Sequence, residues 1–240
     1  MKKNNPTIIL VRPQLSENIG MAARAMDNFG LSNLSLVNPR DGWPSKKAAD
    51  SSKHAIKIIN NAKIFNSLDS AVSSYNLVIA TSNRTRFLQK KTYKNLYNFK
   101  KKIIESKNVA IIFGPENSGL SNQDLRFTNF IFTIPTAKSN KSLNLSHAVS
   151  VVSYELFQSN LINKKNSNDL KKDKVTKREL SNFMNFLIQD LDLKGFFNPI
   201  EKKESMIDNI YSIYNNFDLS KKELSMLWGM HKKLSKLPKK

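Results

Sequence analysis

Residues 109–125 read VAIIFGPENSGLSNQDL, and this stretch decides how the chain is organised. Val109 to Phe113 is an unbroken apolar, largely β-branched run, the pattern of a strand covered on both faces, as in a parallel sheet. Gly114 and Pro115 end it, and Gly119 permits a positive φ before a short helix at Asn122 to Leu125. A strand, a small-residue loop and a helix in that order form one unit of an α/β fold.

Working outward, four more runs share that character: Thr7 to Val11, Leu34 to Val37, Leu77 to Thr81 and Phe130 to Ile134. Between them the spacing predicts helices over Glu17 to Phe29, Lys46 to Asn60 and Asn144 to Gln158. The last carries Leu145, Ala148, Val149, Val152 and Leu156 at helical spacing. Residues 1–162 therefore read as an α/β domain with a largely parallel sheet. Residues 163–176, NKKNSNDLKKDKVT, lack large apolar side chains apart from Leu170 and Val175 and read as a polar linker. Beyond it, Lys177 to Leu193, Glu201 to Asn216 and Ser220 to Leu237 show helical periodicity, broken at Gly195 and Pro199, with a capping pair at Ser220 and Glu223. Residues 177–240 form a small C-terminal helical extension.

Composition narrows the chemistry. The 240 residues hold 39 Lys+Arg against 19 Asp+Glu, a formal charge of +20 that favours a polyphosphate partner. Both parts are basic. Cysteine is absent, which excludes disulfides, thiolate metal sites and cysteine nucleophiles, and the 3 histidines are far apart, so no metal is expected. No run reaches the roughly 18 apolar residues of a membrane span, and the opening MKKNNP is not an apolar leader. A cytoplasmic protein is expected.

Ligands of open α/β sheets bind outside the carboxyl ends of the strands, and four segments place polar or small residues there. After the first strand comes SENIGMAARAMDNFG, residues 16–30, with Asn18 near a helix start and Arg24 among alanines. Asn18 can bond a phosphate or a free backbone group. Taken alone, Arg24 better fits a surface arginine paired with a carboxylate. The loop after Phe113 offers Glu116, which fits a ligand or a cap on backbone amides. After Ile134 runs PTAKSNKSLNLSHA, where Ser142, Leu143 and Asn144 open a helix whose N–H groups suit an anionic ligand, or serve only as N-caps. His147, inside that helix, reads as packed or solvated. After Leu77 to Thr81 comes TSNRTR, in which Thr81, Ser82 and Asn83 can hold a cofactor while Arg84 and Arg86 face phosphates, unless the loop is merely solvated. Neither a G-x-G-x-x-G after the first strand nor a G-x-x-x-x-G-K-[ST] occurs.

Taken in order, NIGMAARAMDNFG, IIFGPENSGL and IPTAKSNKSLNLSHAVSVVSYEL resemble the three motifs of the SpoU branch of the SPOUT methyltransferases. The resemblance implies a C-terminal trefoil knot, a homodimer with its active site at the subunit interface, and S-adenosylmethionine as methyl donor, leaving S-adenosylhomocysteine. It implicates Thr81, Ser82, Asn83, Gly114, Ile134, Ser142, Leu143 and Asn144 in holding that cofactor. It implicates Arg24, Asn18, Glu116, Ser142 and Asn144 in catalysis, and Arg12, Arg24, Arg84 and Arg86 in RNA binding. Guanidinium groups hold their protons, so Arg24 is read as orienting and stabilising the attacking ribose oxygen, assisted by a substrate phosphate or the dimer partner. With its helical extension the chain resembles the TrmJ type, which modifies cytidine or uridine ribose at tRNA position 32. Another tRNA position, ribosomal RNA and a catalytically silent RNA-binding protein are the alternatives.

Overall fold

The computed structural model describes residues 5–83, 90–95, 103, 106–137, 139, 142–162, 174–217 and 219–235, with the backbone alone for 159–162. Its centre is a seven-stranded sheet, parallel throughout, built from β1 (Thr7–Val11), β2 (Leu34–Val37), β3 (Lys63–Phe65), β4 (Leu77–Thr81), β5 (Thr92–Tyr93), β6 (Val109–Phe113) and β7 (Phe130–Phe132). The order is β3-β2-β1-β6-β4-β7-β5, with Ile8 level with Leu34 on one side and Ile111 on the other. The chain builds outward from β1 to β3, then crosses to start the other half at β4. Strand order thus reverses beside β1 and β6, which opens a crevice at their carboxyl ends.

Alternation along each strand feeds two cores. Ile8 and Leu10 face α1 (Ser16–Asn28), α2 (Lys46–Ser52), α3 (Ile56–Asn60) and the long helix Leu145–Ile162, while Ile9 and Val11 face α4 (Leu68–Val72) and α5 (Asn122–Arg126). The long helix is α6. The five predicted strands are all present, although the last stops at Phe132, because Thr133 turns its hydroxyl to the carbonyl of Ser82, at 2.7 Å. β3 and β5 escape sequence reading since they are three and two residues long, lie at the sheet edges and bury little. The helix expected over Lys46 to Asn60 is interrupted. Lys53 has a φ of 52°, and the buried Ser52 hydroxyl donates to the carbonyl of Ala49 at 2.7 Å, drawing it from the helical ladder.

Residues 163–173 of the expected linker lie outside the described residues. Residues 174–176 belong to the tail: Lys174 bridges to Ser220, Val175 is buried, and Thr176 forms a capping box with Glu179. From there run α7 (Lys177–Leu193), a 3-10 turn at Ile200–Lys202, α8 (Lys203–Asn216) and α9 (Lys221–Ser235). The Ser220 and Glu223 cap is formed, the Ser220 backbone N–H donating to Glu223 at 2.7 Å. Whereas the sheet core is mainly aliphatic with Phe113, Phe130 and Phe132 among it, the tail core sets Phe183 edge-on to Tyr214, beside Trp228. The tail meets the sheet domain through polar groups: Arg126 of α5 pairs with Glu204 and Asp208 of α8, and Asn76 reaches the carbonyl of Lys174. No described helix is long and apolar enough to cross a membrane.

Candidate active site

At the carboxyl ends of β4, β6 and β7 lies a cavity of about 280 Å³. Three loops from distant parts of the chain make its walls: Thr81, Ser82 and Asn83 after β4; Gly114, Pro115 and Glu116 after β6; and Ile134 and Thr136 after β7. Ser142, Leu143, Leu145 and Ala148 close it from the start of α6. Each position expected to hold a cofactor lines this cavity except Asn144. Phe113, Asn117 and Thr136 also line it, although no pattern in the sequence singled them out.

The loops are fixed by their own hydrogen bonds. The Thr81 hydroxyl donates to the carbonyl of Ile112 at 2.9 Å, joining β4 to β6, and the Asn83 amide donates to the Thr136 hydroxyl at 3.1 Å. In the loop after β6, the Gly119 N–H returns to the carbonyl of Pro115 at 2.8 Å, and Gly119 takes a φ of 63°. A Cβ on Gly114 would stand 2.3 Å from the Leu120 nitrogen, so this glycine is required by the closure of its own loop. Gly20 has a comparable reason. A Cβ there would meet the carbonyl oxygen of Ala48 at 2.2 Å, because α1 and α2 pack backbone to backbone.

Glu116 binds the entry of α1. Its carboxylate accepts from the backbone N–H of Gln14 at 2.8 Å and of Leu15 at 3.4 Å, and from the Asn18 amide at 2.8 Å. Asn18 is only 2% exposed, and its oxygen accepts from the Asn144 amide at 3.1 Å. Asn144 in turn accepts from the Ser146 N–H at 2.9 Å and hydroxyl at 2.7 Å, capping α6. Asn18 is therefore enclosed between Glu116 and Asn144 instead of being turned toward a phosphate, and Glu116 holds a loop and Asn18, without contact to Arg24. This chain of bonds joins all three motifs.

Arg24 lies apart from that network. Six residues along α1 carry it off the face that Asn18 occupies, so Asn18 is buried while Arg24 is exposed, and no carboxylate among the described residues pairs with it. Arg12, expected among the RNA contacts, is ion-paired: its guanidinium binds Asp124, which also accepts from the Ser121 backbone at 2.7 Å and so ties the end of β1 to the start of α5. Arg84 and Arg86 lie outside the described residues. His147 is exposed. Leu15 and Met21 at the start of α1 are exposed apolar residues, and α6 adds Val151, Tyr154 and Phe157.

Comparison with known proteins fits this arrangement. Residues 5–154 match the SpoU rRNA Methylase family. The chain belongs to that family. Within reach of it stand a Methanocaldococcus jannaschii protein named tRNA (cytidine-2'-O-)-methyltransferase TrmJ, 37% identical over 66% of this chain and 70% of its own length, and the tRNA (cytidine/uridine-2'-O-)-methyltransferase TrmJ of Sodalis glossinidius, 33% identical over 95% and 90%. Among solved structures, TrmJ from Z. mobilis superposes with a TM-score of 0.86 at 35% identity, covering 96% of this chain and 99% of that one. The matches to the Sodalis glossinidius and Z. mobilis proteins run through the tail as well as the family segment.

Proposed function

We propose that the protein transfers a methyl group from S-adenosylmethionine to the 2′-hydroxyl of a tRNA ribose, most simply cytidine or uridine at position 32, releasing S-adenosylhomocysteine. The observation that carries this reading is the convergence of the second and third SpoU motifs on one cavity, with the first motif bonded to both through Asn18. Its residues suit the donor: Phe113, Ile134, Leu145 and Ala148 offer an apolar bed for a nucleoside, while Ser82, Asn117 and Thr136 supply polar edges. When bound, the donor supplies an electrophilic methyl on a sulfonium.

The remaining work belongs to the chain. A ribose hydroxyl is a weak nucleophile, and a guanidinium beside it stabilises the oxygen as negative charge develops. Arg24 fills that role as an exposed cation with no described carboxylate partner. Glu116, Asn18 and Asn144 are positioning residues, holding the starts of α1 and α6 against the cleft. Ser142 stands at the cavity edge where the ribose would enter.

In this reading the protein is a cytoplasmic homodimer with the knotted SPOUT path. Support for the dimer comes from the exposed apolar side chains of Leu15 and Met21 at the start of α1 and of Val151 and Tyr154 on α6. In this reading Arg24 of one protomer serves the cleft of its partner. The helical tail is assigned to tRNA selection.

The test is methyl transfer from labelled S-adenosylmethionine to total tRNA and to rRNA, with mapping of the modified nucleotide. Label at position 32 is expected. Arg24→Ala is expected to slow transfer by about 100- to 1,000-fold with donor binding retained; a variant as fast as the parent removes Arg24 from catalysis, and label in rRNA alone removes the tRNA reading.

A further inference from the structure

The joint between the tail and the sheet domain buries an unusual set of charges. Lys90 is 8% exposed and donates to the carbonyl and hydroxyl of Thr128, at the end of α5. Lys177, at the first turn of α7, is 4% exposed and donates to the side-chain oxygen of Asn215 on α8. Asn215 also donates to the carbonyl of Arg126 at 2.7 Å, so the two lysines approach one point from opposite domains. They repel each other. Of the carboxylates described at the joint, Asp208 is buried and already bound by Arg126, while Glu204, the second partner of Arg126, is 71% exposed. Tyr211 of α8 also faces the joint; burial disfavours its ionisation, and it lies in the fields of Arg126 and Asp69.

We propose that docking of the tail releases protons from Lys90 and Lys177, so that the tail is held more tightly as pH rises and loosens as it falls. Asp208 is already bound by Arg126 and acts on Lys90 only at a distance, and Lys177 has a neutral oxygen as its partner, so burial of both ammonium groups is costly. Their neutral amines lose nothing essential, since each still donates a hydrogen bond to its oxygen acceptor. Burial pushes Lys90 down to about 7, against the pull of Asp208, and pushes Lys177 well below the ordinary lysine range, helped by the charge of Lys90.

The direction follows from proton counting. A released tail returns both amines to water, where they bind protons up to the ordinary lysine range near pH 10.4. Between about pH 7 and that limit the released state carries more protons, so docking strengthens as pH rises through the window. For Lys90 alone, going from pH 9 to pH 7 favours release by about 50-fold; Lys177 adds to this and extends the window lower. Because Thr128 follows α5 and Lys90 precedes β5, this joint also bears on the segments that lead from the cleft.

The chain contains no cysteine, so Lys57→Cys and Lys222→Cys, both at exposed positions, accept a fluorescent donor and acceptor on the otherwise complete protein. Urea-driven separation of the dyes at pH 7 and pH 9 reads the strength of docking. The midpoint is expected to fall markedly at pH 7 with both lysines present, and to fall much less in the Lys90→Met, Lys177→Met double variant. The same pH dependence in both proteins overturns the proposal. Should the double variant not fold, lysine side-chain carbon NMR of the unsubstituted protein decides: two lysines titrating far below the rest support it, and all titrating together overturn it.

Discussion

At the cleft a single carboxylate, Glu116, is shared by two backbone amides and an asparagine, whereas at the tail joint Arg126 takes the buried carboxylate of Asp208 and Lys90 and Lys177 are left with the neutral oxygens of Thr128 and Asn215. Both places hold segments together through polar groups, with opposite balances of charge. Backbone N–H groups crowd naturally at a loop leading into a helix, and one anion satisfies several of them at once. A buried cation needs carbonyl or amide oxygens, which the ends of α5 and α8 provide singly. The cleft thus commits its carboxylate to architecture and leaves Arg24 without a described counter-charge, available to an anionic substrate. The joint instead keeps its cations away from solvent, where they respond to protons.

Removing the two carboxylates in turn breaks this comparison at its strongest point. Asp208→Ala leaves Arg126 facing two lysines without a buried counter-charge and is expected to destabilise tail docking by about 3–5 kcal/mol, read as a lower urea midpoint for the tail with the sheet domain still folded. Glu116→Ala leaves the Gln14 N–H and the Asn18 amide without their acceptor. It is expected to cost about 1–3 kcal/mol in thermal unfolding and to slow methyl transfer, while tail docking is unchanged. If both substitutions loosened the tail equally, the two networks would be one cooperative unit. The smallest effect is a gain. Gly229 sits in exposed α9 with open space where a Cβ would stand, so Gly229→Ala should raise tail stability by about 0.5–1 kcal/mol without altering methyl transfer.

Much of the fold and site was legible in the amino-acid order. The central strands are continuous apolar runs because both faces are covered, and Ser220 with Glu223 announces the start of α9 through bonds made within four residues. The residues that line the cavity were legible because small and polar residues directly after buried strands have few other uses there. What escaped reading depends on contacts across the chain. β3 and β5 exist through edge pairing alone, and the break at Lys53 reflects a hydroxyl choosing a helix carbonyl. Asn144 was placed at the cofactor and proved to bind Asn18, 126 residues away. Arg12, grouped with the RNA contacts, is spoken for by Asp124.

The sequence by itself determined the parallel α/β class, the capped tail helices and the three loops that meet at the cleft, since periodicity, caps and strand-end residues are local consequences of backbone geometry. Only the tertiary structure decided which polar side chains are enclosed and which are available. Lys90 and Lys177 look like any of the many lysines of a basic chain until folding carries them out of water, because the cost of a charge depends on the dielectric and the oxygens around it and not on its neighbours in sequence.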